Sequence, residues 1–120
     1  MKYLFALLFT ITSAQATCEF SFPQANLCAG LTWTQGPVVN QASAFELKFD
    51  RSFAPYKFKV DLWMPSMGHG TRPVVLRTVD EATVEVTQAW FVMRGIWQVR
   101  GFLLNDAGSV VEKSETEIRL

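Results

Sequence analysis

The residues best suited to chemistry lie in one short run, Met64-Pro65-Ser66-Met67-Gly68-His69-Gly70. It holds two of the four methionines and the only histidine of the chain. Pro65 stiffens its entry, and Gly68 and Gly70 let the backbone turn around His69. Thioether sulfur selects Cu(I), and imidazole accepts copper readily. Zinc, calcium and magnesium want thiolates, more imidazoles or carboxylate oxygens, which this run lacks. The donor set Met64, Met67 and His69 therefore reads as a copper site, Cu(I) by preference. Met93, just before Arg94-Gly95, completes it if the two turns share one end of the fold. An imidazole binds metal only when neutral, so such a site weakens in acid. The plainer reading stands beside this one: methionine fills gaps in cores, and a lone histidine between glycines is commonly solvated.

Other reactive residues point away from catalysis. Ser66 and His69 are close in sequence, but a nucleophile and base need a third group to hold the base, and none is near. Asp61 and Asp80 are single carboxylates on strand or turn positions rather than a pair for acid–base work. Gly68-x-Gly70 lacks the lysine and helix of a phosphate loop. No enzyme is expected. Cys18 and Cys28, the only cysteines, are an even pair at short range and read as one disulfide in an oxidising compartment. Closing so small a loop contributes roughly 2–3 kcal/mol by chain entropy.

The elements that must position these residues repeat with a period of two. Phe45, Leu47 and Phe49 alternate with Glu46 and Lys48. Tyr56, Phe58, Val60 and Leu62 alternate with Lys57, Lys59 and Asp61. Such alternation marks half-buried strands. Further strands are expected over 74–79, 83–92, 95–104 and 110–120, the last charged enough to be an exposed edge. Asn105-Asp106-Ala107-Gly108 reads as a hairpin loop. With no amphipathic helix and strands about every ten residues, the expectation is an all-β antiparallel sandwich of six to seven strands.

The first residues are of another kind. Lys2 precedes the apolar run 3–12, and Ser13-Ala14-Gln15-Ala16 offers a small-residue cleavage site, so residues 1–16 read as a secretory signal peptide. The apolar run is shorter than the roughly 20 residues that span a bilayer. No stable membrane anchor is expected, and the location is periplasmic or secreted. The remaining domain, 17–120, suits a single core. It carries 10 basic and 11 acidic side chains, a balance that argues against a nucleic-acid partner.

Two runs resemble a known group. Val60 to Gly70, with its MP-x-M-x-H segment, is similar to that of YtkA-like and FixH-like domains. Ala89 to Val99 is similar to that group's F-x-M-x-G-x-W-x-V segment. The resemblance spans about residues 43–105. It implies an immunoglobulin-like sandwich outside the cytoplasm, associated with copper handling. It assigns the loop positions to Met64, Met67 and His69, the methionine before the glycine to Met93, and the motif tryptophan to Trp97. The chain departs from the group in lacking a FixH-like membrane helix and in carrying Cys18 and Cys28. The implied role is carriage or buffering of Cu(I), exchanged with a protein partner. The alternative is a metal-free interaction module, with Trp63 or Trp90 marking the partner surface.

Overall fold

The alternating segments become strands where they can bury one parity and wet the other. The computed structural model describes residues 18–120. The expected signal peptide, 1–16, and Thr17 lie outside the described residues. Nine strands follow in order: β1 (Phe20–Phe22), β2 (Leu27–Gln35), β3 (Ser43–Phe49), β4 (Lys57–Met64), β5 (His69–Gly70), β6 (Val75–Asp80), β7 (Thr83–Ala89), β8 (Ile96–Leu104) and β9 (Val110–Arg119). The described residues contain no helix. The expected count of six to seven strands is thus too low. The three not named from the sequence are β1, β2 and β5.

The strands form two antiparallel sheets, β1-β2-β3-β7-β6 and β5-β4-β8-β9. Apart from the added β1, this is the A-B-E-D and C′-C-F-G arrangement of an immunoglobulin-like sandwich. Inward residues of both sheets meet in one core: Phe45 and Leu47 of β3 and Val86 of β7 on one side, Val60 of β4 and Val99 and Leu103 of β8 on the other. The buried parity of β3 is the expected Phe45, Leu47 and Phe49. Trp97, Val99 and Leu103 are likewise fully buried on β8. β6 behaves differently. It is an edge strand and nearly all exposed, with only Leu76 packed against the core. β9 is the expected edge strand of the other sheet.

One flank of the sandwich is closed by polar contacts. The Ser21 amide donates to Ser114 Oγ at 3.0 Å, and the Gln24 and Ala25 amides donate to the Glu112 carboxylate at 3.2 and 3.0 Å. Cys18 and Cys28 are disulfide-bonded, with Cα atoms 5.5 Å apart. The bridge ties the chain two residues ahead of β1 to β2.

Because adjacent strands run antiparallel, the connections divide between two ends. One end holds 36–42, 65–68, 71–74 and 90–95. The other holds 23–26, 50–56, 81–82 and 105–109. All four expected copper ligands lie at the first end.

Candidate functional site

The run 64–70 is not one open loop. Met64 closes β4 and His69 opens β5, and the two are directly paired. Only Pro65 to Gly68 make the turn. The amides of Met67 and Gly68 both donate to the Met64 carbonyl, at 3.3 and 2.9 Å. Gly68 takes a positive φ of 62°, a conformation that glycine adopts without a Cβ penalty. Opposed residues of an antiparallel pair project to the same face, about 4.5–5.5 Å apart at Cβ. Register therefore starts the Met64 and His69 side chains next to each other on one face of the sheet.

The four expected ligands occupy three different environments. Met64 is in the core, 1% exposed. Its methyl group lies against Gly95: a Cβ at that glycine would stand 2.9 Å from Met64 Cε and 3.9 Å from Sδ. Gly95 has a φ of 143°, and its amide and carbonyl pair with Leu120. Met67, at the hairpin tip, is 57% exposed, and Met93 is 37% exposed. His69 is half-buried.

Trp97 joins these parts. Its indole is fully buried and meets the His69 ring edge-on, with centroids 6.0 Å apart. Phe91 packs against it from another side, at 5.6 Å. Its Nε1–H donates to the Met93 carbonyl at 2.9 Å. The place and the reach back are those of the tyrosine corner of immunoglobulin-like domains, where a ring at the start of strand F fixes the preceding connection. One side chain thus holds the imidazole and fixes the backbone that carries Met93. Trp97, the tryptophan of the resembling segment, is core packing and also positions the Met93 connection.

The His69 Nδ1 lies 2.9 Å from the Gly70 carbonyl oxygen. A carbonyl only accepts, so Nδ1 carries the hydrogen and Nε2 of the neutral ring keeps its lone pair. Metal-ligating histidines commonly have their second nitrogen tied to a carbonyl in this way. The exposed thioethers at this end are Met67 and Met93, half-buried His69 offers Nε2, and Met64 forms the inner wall. Among the described residues no three His, Cys, Asp or Glu side chains gather in one place. A metal at this end would rest on thioethers and one imidazole.

The other singled-out residues have ordinary partners. Asp61 accepts two hydrogen bonds from Arg100, both 2.7 Å. Those bonds push the Arg100 pKa up. The same guanidinium lies over Trp63, 4.6 Å from the ring centroid. Asp80 accepts from the Ala82 amide at 2.9 Å. That bond, then one from the Thr83 hydroxyl, pulls its pKa below the usual 3.8. Trp90 is half-buried under Arg72, whose guanidinium carbon is 4.5 Å from the ring centroid.

Two residues have positioning roles that composition and spacing do not give: Gly95 leaves room for Met64, and Trp97 organises His69 and Met93. The Thr71 hydroxyl, just after β5, is buried without a hydrogen-bond partner among the described residues. No family model, curated protein or solved structure matches the chain.

Proposed function

We propose that this chain is an exported carrier or buffer of Cu(I), which it would exchange with a partner protein. The observation that supports this most is the Met64–His69 pairing. It starts the imidazole-bearing and thioether-bearing side chains of His69 and Met64 next to each other on one face, while Trp97 ties that imidazole to the Met93 connection. Soft donors with one neutral imidazole suit Cu(I). Two of the thioethers are solvent-facing, which suits handing metal on rather than sealing it in. Among the described residues no carboxylate pair or nucleophile–base–orienter set accompanies the donors, so turnover is not part of the reading.

The test is a Cu(I) titration of residues 17–120 against a competing chelator. Met67→Ala and His69→Ala are each expected to weaken binding at least tenfold, about 1.4 kcal/mol. Met64→Leu conserves volume and should change stability by less than about 1.5 kcal/mol, so it separates ligation by Met64 from packing. Unchanged affinity after replacing Met64, Met67 and His69 together would end the copper reading.

A further inference from the structure

We propose that the end of the sandwich bearing Met67, His69 and Met93 docks onto a protein surface with an apolar centre and an acidic rim. This rests on the carrier reading and deepens it by giving the partner's chemistry. The first observation is where exposed apolar side chains lie. Of the nine large ones among the described residues, six are at this end: Val38, Met67, Val75, Val92, Met93 and Ile96. Scattered apolar residues on a surface need no explanation, but a cluster at one pole marks an interaction site. The donors Met67 and Met93 belong to that cluster, so a partner covering it meets the metal ligands directly.

The second observation is charge. The connections at this end carry Arg72 and Arg94 and no carboxylate side chain. Those at the opposite end carry Asp50, Glu81 and Asp106 against Arg51. A chain almost neutral overall is therefore polarised, positive where the donors are. Arg72 lies across Trp90, which holds its charge near the surface of this end. Arg94 is exposed between Met93 and Gly95. On β9 nearby, the Glu117 carboxylate is 4.0 Å from Arg119, so that pair adds little net charge. Cations around an apolar centre select a partner with carboxylates at its rim and speed the encounter.

Other occupants fit less well. A second copy joined through the same end would bring like charges together. Joined through its acidic end, it would make an open head-to-tail chain. Anionic lipid is read by clusters of about four or more basic residues, and two arginines fall short of that.

The experiment is an NMR titration of isotope-labelled residues 17–120, which contain every described strand. The probe is a peptide with two methionines flanked by Asp and Glu; the control has Lys in place of the acids. Phosphatidylglycerol vesicles and a dilution series of the chain alone complete the set. Metal-free protein should bind the acidic peptide, with amide shifts confined to 36–42, 65–74 and 90–96. Arg72→Glu with Arg94→Glu should weaken that binding at least tenfold while leaving Cu(I) affinity within about twofold, since neither arginine is a donor. Arg94→Glu alone should show part of the loss without touching the Arg72–Trp90 contact.

Four results would overturn the proposal: equal binding of the basic peptide, no binding of either, shifts at the opposite end, or stronger capture by vesicles or by a second copy. Failure here with normal Cu(I) affinity leaves the carrier reading standing. Loss of Cu(I) binding in the wild-type chain sinks that reading whatever the peptide does.

Discussion

The two ends of this sandwich are held together by different means. At the end of 50–56, 81–82 and 105–109, side-chain oxygens cap backbone amides. Asp50 accepts from Cys28, Asp80 from Ala82, and Asn105 from both Ala107 and Ser109. At the end of 36–42, 65–68 and 90–95, Ser43 Oγ caps the Val38 amide at 3.1 Å, but the 65–68 and 90–95 connections take their shape from apolar packing and one indole. Met64 sits under Gly95, and Trp97 is clasped by Phe91, His69 and the Met93 carbonyl. Polar turns satisfy their own backbone and leave few donors free. The packed end leaves its Met67 and Met93 thioethers and His69 Nε2 uncommitted. An end built on packing can therefore offer ligands without losing its structure when they are used.

The strongest way to break that contrast is at Trp97. Trp97→Ala removes a fully buried indole and should destabilise by about 3–5 kcal/mol, the usual range for deleting a large core aromatic. Trp97→Phe keeps most of the ring volume but loses the bond to the Met93 carbonyl. Beyond its packing change, that should cost about 1 kcal/mol. Denaturant unfolding measures both. If Trp97→Ala cost less than about 1 kcal/mol, this end would not be organised by the indole.

A smaller effect is expected at Gly95. Alanine there would put its Cβ 2.9 Å from Met64 Cε and hold a φ of 143° that L residues rarely adopt. Backbone strain of this kind costs about 1–3 kcal/mol, and the collision adds less, because the Met64 methyl is the far end of a flexible side chain. The two causes separate in a double-mutant cycle. In a Met64→Ala background the collision is relieved and only the backbone strain should remain. A cycle with no coupling would mean that Met64 does not rest on Gly95.

The polar end was the easier of the two to read from sequence. Asn105-Asp106-Ala107-Gly108 announces its turn by residue type, and the alternation of β3 and β4 is plain because large apolar side chains face charged ones. β2 was harder: its inward parity includes the small Ala29, and its outward parity carries Cys28 and Gly30, so the contrast fades. β1 and β5 have three and two residues, too few for a period to show. β5 matters most, because pairing across the turn is what sets His69 opposite Met64. Which methionine is buried also depends on tertiary contact. Met64 and Met67 are the same residue type in the same run, yet one lies under Gly95 and the other at an exposed tip.

The smallest effect is expected at the polar end, at Asp80. Its carboxylate is held ionised by the Ala82 amide and the Thr83 hydroxyl, so its folded pKa lies below 3.8. A carboxylate with a depressed folded value binds fewer protons folded than unfolded. Its contribution is fully present above the unfolded pKa and is lost as pH falls through the folded one. Asp80→Asn should therefore be slightly less stable than wild type near neutrality, with the gap closing below pH 3.8. Thermal unfolding of metal-free protein between neutral pH and the acid limb measures it, free of any change in metal binding. Cu(I) affinity of Asp80→Asn should match wild type, because distant sites without shared partners act independently. A change in that affinity would mean that the two ends are coupled through the core.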